Sequence, residues 1–226
     1  MKESKLHTEQ VKQTEKSVIR IEGLVKHFGD THVLNGFNMD LYEGENLVIM
    51  GKSGSGKSVM IKCVMGLMQP DEGKIEIMDL DVLSMEQQEL DQLRKEIGFL
   101  FQGSALYDSM TVRENLEFPL RKQNLEQSEK DELVMDALES VGLEHAVELM
   151  PSDLSGGMKR IIDLARDIIL HTKIIIYDEP TTGMDPITAK EIIQLMRNIQ
   201  KKHGSAALII THDVDCSRVI ADRMIL

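Results

Sequence analysis

Eight residues constrain this chain more than any others: Gly51-Lys52-Ser53-Gly54-Ser55-Gly56-Lys57-Ser58, which match G-x-x-x-x-G-K-[ST] at every fixed position. Such a loop needs a buried strand to launch it and a helix to receive it. Its backbone N–H groups and the positive end of the helix together make the anion site. Both neighbours are present. Leu47-Val48-Ile49-Met50 is continuously apolar, as a strand buried on both faces is, and residues 58–67 read as a helix. Lys57 is placed for the β- and γ-phosphates and the Ser58 hydroxyl for Mg²⁺. A dinucleotide fingerprint fails, because Val59 stands where its third glycine belongs. The pattern is that of a nucleoside triphosphate site.

Around this loop strands alternate with helices, the order that gives a parallel sheet covered by helices. Residues 18–25 and 37–41 read as strands, and 174–177 and 207–210 as buried strands. Residues 156–170 and 186–203 read as helices, the second with Asp185 and Pro186 as Ncap and N1 and Gly204 as its stop. Ser84 with Gln87, and Thr111 with Glu114, fit capping boxes and predict helices over 84–95 and 111–121. A third helix over 128–141 closes at Gly142. Residues 103–153 thus read as a helical subdomain inserted into an α/β core, residues 1–16 as a flexible polar tail, and 17–226 as one domain.

The strand 174–177 ends in Asp178 and Glu179. A carboxylate at that edge meets the Mg²⁺ held by Ser58, and one residue further on a carboxylate can polarise an attacking water as general base. The pair favours hydrolysis over transfer to a substrate hydroxyl. Composition narrows the partners. The net charge of −12 argues against nucleic acid, whose binding feeds on positive charge. The longest stretch free of charged residues, 97–107, is too short to span a bilayer. Cys63 and Cys216 stand far apart in no metal-binding spacing.

Leu154-Ser155-Gly156-Gly157-Met158 precedes the acidic pair and opens a helix. With Gln102, Asp185 and His212 in this order, the chain resembles the ATP-binding subunits of ABC transporters from about Val18 onward. The resemblance implies an α/β fold: a P-loop NTPase core with a mostly parallel sheet, an N-terminal antiparallel β subdomain and an inserted helical subdomain. It implies ATP and Mg²⁺ as cofactors and a head-to-tail homodimer. ATP then lies between Gly51, Ser53, Gly54, Ser55, Gly56, Lys57 and Ser58 of one chain and Ser155, Gly156 and Gly157 of the other. Asp178, Ser58 and Gln102 attend the metal, and Glu179, His212 and Gln102 the reaction. Asp185 matches an aspartate at the dimer interface, and Phe28 the aromatic that stacks on adenine.

Residues 101–112, with the Leu-Ser-Gly-Gly-Met segment and residues 177–183, look like the ATPases of MCE-type phospholipid transporters. The implied partners are integral-membrane permease subunits and an MCE-domain lipid-binding protein, and the implied place is the cytoplasmic face of the inner membrane. The alternative is a regulatory ABC ATPase in a non-transporting complex of the cell-division type. An ABC ATPase acting on DNA or the ribosome is disfavoured by length and charge. Met158, Ile161 and Asp163 depart from the family's usual residues, and Arg160 and Arg166, each three residues from Asp163, are placed to answer its charge. Family members continue beyond Leu226 through a further strand and hairpin, so an incomplete sheet edge is expected.

Overall fold

The computed structural model describes residues 16–52, 54–100 and 106–226. The expected tail therefore lies outside the described residues, apart from Lys16. Two sheets form the frame. Strands β1 (Ser17–Phe28), β2 (Thr31–Tyr42), β4 (Glu72–Ile77) and β5 (Leu80–Asp81) make an antiparallel sheet in the order β2-β1-β4-β5. Strands β3 (Asn46–Met50), β6 (Ile97–Leu100), β7 (Ile174–Asp178), β8 (Ala206–Thr211) and β9 (Arg223–Ile225) make a parallel sheet in the order β6-β7-β8-β3-β9.

The continuous apolar runs follow from that second sheet's position between two cores. Side chains alternate across a strand, and both faces are covered. Leu47, Ile49, Ile174, Ile176, Leu208 and Ile210 enter the core shared with the antiparallel sheet. Val48, Ile175, Tyr177, Ala207 and Ile209 enter the core under the helices on the other side. Registers such as Val48↔Ile209 and Ile176↔Leu208 keep these sets in step.

The helices are α1 (Lys57–Val64), α2 (Gln87–Leu93), α3 (Val112–Glu117), α4 (Gln127–Val141), α5 (Gly156–Ile168), α6 (Pro186–His203) and α7 (Val214–Ile220). Several predicted ends hold. Thr111 and Glu114 form the capping box of α3, Gly142 is left-handed after α4, and α6 runs from Pro186 to His203 with Asp185 and Gly204 as its caps. Residues 106–153 contain helices and no strand.

Other expectations are corrected. The box assigned to Ser84 and Gln87 belongs to Glu86, whose N–H donates to Glu89 Oε2 at 2.9 Å. Ser84 closes a short 3₁₀ turn, its hydroxyl donating to the Asp81 carbonyl, and Met85 is extended, so no helix can start before Gln87. Helix α1 ends at Val64 rather than 67, because Gly66 at φ 62° turns the chain out of the helix. Helix α5 ends at Ile168 rather than 170, ahead of His171 at φ 48°. Strands β4, β5, β6 and β9 and helix α7 were not foreseen, and β9 adds an edge strand on β3.

Candidate functional site

The loop after β3 turns on glycines, and at Gly56 there is no room for anything larger. A Cβ at Gly51 would meet Ser55 Oγ at 2.6 Å, and one at Gly56 would meet the Val33 carbonyl oxygen at 2.7 Å. Gly54 and Gly56 also have φ of 83° and 91°, in the left-handed region. Lys57, the first residue of α1, folds back over the loop and donates from Nζ to the carbonyls of Gly51 (2.7 Å) and Lys52 (2.9 Å). Its cation is thereby held at the centre of the loop, with Ser58 beside it on the first turn of α1. Ser53 lies outside the described residues, as does Gln102.

Strand order brings the acidic pair to this loop. Strands β7 and β8 are parallel neighbours, and β8 neighbours β3, so the ends of all three strands meet at one edge. Asp178 closes β7; burial raises its carboxyl above the usual carboxylate range, with Glu179 adding to the rise and Lys57 opposing it. Glu179 has φ 51°, unusual for a residue with a side chain. Its N–H donates to the Ile210 carbonyl at 2.8 Å. Its carboxylate lies 2.8 and 2.9 Å from His212 Nδ1 and accepts from Thr182 Oγ1 at 3.1 Å. His212 follows β8 directly, so adjacent strand ends place it beside Glu179.

These groups line one cleft of about 780 Å³, together with Phe28, which is 49% exposed at the end of β1. The volume suits a nucleotide. The residues also fit a nucleotide with its metal: a glycine-built loop, the cations of Lys52 and Lys57, a hydroxyl at a helix start and two carboxylates opposite. The cleft thus gathers Phe28, Gly54, Gly56, Lys57, Ser58, Asp178, Glu179 and His212.

The structure does not bring Gly156, Gly157 and Asp185 there. They line a second cleft of about 400 Å³ with Lys159 and Arg160. Ser155 caps α5, its Oγ accepting from the Met158 N–H at 3.2 Å. Asp185 caps α6 by accepting from Ile187 N, Thr188 N and Thr188 Oγ1, bonds that hold its carboxyl below the usual range, the Thr188 hydroxyl most of all. Asp163 is buried and paired with Arg166 at 3.3 Å, one of the two partners expected for it.

The family model for the ABC transporter matches residues 34–182. The chain belongs to this family. It carries the family's ATP-binding domain, an ATPase whose cofactors are ATP and Mg²⁺. It is 36% identical over 209 residues to the methionine import ATP-binding protein MetN of Clostridium tetani, covering 92% of this chain and 66% of that protein. It is 37% identical over 207 residues to the probable ribonucleotide transport ATP-binding protein mkl of Mycobacterium leprae, covering 91% of this chain and 60% of that one. The chain spans about three fifths to two thirds of the length of these curated relatives. Among solved structures it is similar to the dimeric ATP-binding cassette MJ0796 in a post-hydrolysis state bound to ADP and Pi. There the TM-score is 0.79 and the identity 30%, over 92% of this chain and 93% of that one.

Sequence reasoning gave no role to Thr182 and no tertiary partner to Arg160. Thr182 had a legible signal, standing three residues after Glu179 in a tight turn. Arg160 had none, because its partner lies 20 residues away in sequence.

Proposed function

We propose that this chain is the ATP-hydrolysing energy subunit of a membrane transporter and works as a head-to-tail dimer. The observation that carries the reading is the division of phosphate-binding parts between two separate clefts, one around Lys57 and the other around Gly157. Neither is a whole site, and a dimer that sets the second cleft of one chain over the first cleft of its partner makes two. The similarity to a dimeric cassette bound to ADP and Pi supports this arrangement. Residues 17–226 form the ATPase domain in this reading, with 103–153 as its helical subdomain.

Gly51, Ser53, Gly54, Ser55 and Gly56 cradle the phosphates through backbone N–H groups, and Lys57 neutralises the β- and γ-phosphates. Phe28 stacks on the base. Ser58, Asp178 and Gln102 hold Mg²⁺, which when bound neutralises charge building on the phosphate oxygens. Glu179 takes a proton from the attacking water as that oxygen bonds to the γ-phosphorus and the bond to ADP breaks. His212 sits against Glu179 and turns toward the γ-phosphate, and Thr182 steadies the carboxylate. Ser155, Gly156 and Gly157 close on the partner's γ-phosphate, with Asp185 at the interface.

For the cargo we propose phospholipid, with a permease and an MCE-domain protein as partners at the cytoplasmic face of the membrane. This finer reading rests on residues 101–112, the Leu-Ser-Gly-Gly-Met segment at 154–158 and residues 177–183, and 101–105 lie outside the described residues. The names of the relatives do not support it. They favour a second reading, methionine import. A relative of equal identity is named for ribonucleotide transport, so identity at this level does not carry cargo with it. No helix among the described residues is long and apolar enough to cross a membrane, so the reading assigns any crossing to partner subunits.

The deciding experiment is a pull-down of tagged Glu179→Gln chain from native membranes with ATP present. Recovery of a permease, an MCE-domain protein and phospholipid supports the lipid reading. A permease whose presence makes ATP turnover respond to methionine supports the second. Recovery of no integral-membrane partner contradicts the energy-subunit reading itself.

A further inference from the structure

Glu179 is held in a backbone conformation that a side-chain-bearing residue seldom adopts, at φ 51°. One hold is the hydrogen bond from its N–H to the Ile210 carbonyl. The other comes from α5. Arg160, 4% exposed on that helix, donates from Nε to the Pro180 carbonyl oxygen at 3.1 Å. Pro180 directly follows Glu179 and has no N–H, so this carbonyl is its one backbone group able to form a hydrogen bond. The arginine is costly to place here, since burial lowers its pKa, opposed by Asp163 and Asp167 beside it. A buried cation aimed at the catalytic turn and flanked by two buried carboxylates is a built feature.

We propose that Arg160 is a positioning residue for ATP hydrolysis, holding the Pro180 carbonyl so that the turn presents the Glu179 carboxylate. The proposal rests on the reading of Glu179 as general base. It also joins α5, whose first turn carries Gly156 and Gly157, to the catalytic turn of the same chain. A nucleotide gripped at those glycines and the carboxylate acting in the chain's own cleft are then linked through one side chain. Thr182, which lines both clefts and donates to Glu179, lies along the same turn.

The test is steady-state ATP hydrolysis by the full chain carrying Arg160→Met with Asp167→Asn, which removes the donor while taking out one buried charge of each sign. We expect kcat to fall about tenfold or more, because the base loses its fixed geometry. The KM and the equilibrium Kd for ATP are expected to stay within about twofold, as the groups lining the chain's own first cleft are unchanged. Asp167→Asn alone is expected to keep wild-type kcat. A cooperatively melting double variant with wild-type kcat overturns the proposal, as does a parallel change in kcat and KM. If the double variant does not melt cooperatively, Arg160→Lys decides by the same criteria, since it keeps the charge and loses the Nε–H. Glu179→Gln, assayed alongside, separates the two failures. Wild-type turnover there removes the general-base reading, whereas an inactive Glu179→Gln beside an unimpaired Arg160 variant removes only the positioning role.

Discussion

The cleft at Lys57 and the cleft at Gly157 are both built on the start of a helix that glycines open, yet only the first gathers charges able to carry out chemistry. Around α1 stand two lysines, two hydroxyls, two carboxylates and a histidine, brought up by the ends of three neighbouring strands. In the second cleft the Asp185 carboxylate is engaged in capping α6. In the proposed reading the first cleft binds a triphosphate unaided, because the backbone donors, cation and metal ligands assigned to it all belong to one chain, and the second completes a site that another chain has begun. Two helix starts of the same kind therefore differ in function through what the sheet brings up to them.

That contrast predicts different losses from the two sides. Lys57→Ala removes the cation from the first cleft and is expected to weaken ATP binding by about 100-fold, with turnover lost as a consequence. Equilibrium binding of a fluorescent ATP analogue checks it; unchanged affinity breaks the contrast. Gly157→Val is expected to leave that affinity within about twofold and to lower turnover by about tenfold or more, because its effect is confined to the site closed in trans. A Cβ at Gly157 already meets Thr188 Cγ2 at 3.2 Å, so the branched side chain must push into the cleft or against α6. Loss of affinity equal to that of Lys57→Ala would merge the two clefts into one site.

The smallest expected effect lies beneath the second cleft. Burial pushes the Asp167 carboxyl up to about 7, with Asp163 adding to the rise and Arg166 and Arg160 opposing it. An acid raised above its unfolded value keeps its proton longer in the native state. Stability is therefore fullest below the unfolded value near 4 and falls as pH rises toward about 7. Asp167→Asn removes that dependence and is expected to stabilise the chain by about 1 kcal/mol or more at pH 8, and by little at pH 4. Thermal melts of both chains across that range measure it, and a constant difference would contradict the assignment.

What was legible in the sequence was what depends on neighbours along the chain or on burial of both faces. The phosphate loop, the apolar runs of β3, β7 and β8, and the span from Asp185 to Gly204 each carry their signal locally. The misses have physical causes. Strand β6 is short and hidden inside the uncharged stretch 97–107, and its Gly98 weakens the apolar pattern. Helix α7 is announced by Asp213, which accepts from the N–H groups of Asp215 and Cys216. Asp213 stands next to His212, and its capping signal went unread. The alternation of Ile75 and Ile77 in β4 was legible and went unread. Within the site, the resemblance already implied that Ser155, Gly156 and Gly157 serve the other chain's nucleotide, and Gly156, Gly157 and Asp185 line a second cleft; the reach of Arg160 to Pro180 depends on tertiary packing and had no local signal.

The central claim is that the two clefts are halves of one ATPase site supplied by different chains. Its most direct test is the mass of Glu179→Gln in solution, measured by light scattering with and without ATP and Mg²⁺. The prediction is 25.5 kDa without nucleotide and twice that with it, the dimer disappearing when Gly157→Val is added although ATP still binds. A Glu179→Gln chain that binds ATP and stays monomeric, or a dimer indifferent to Gly157→Val, would contradict the account.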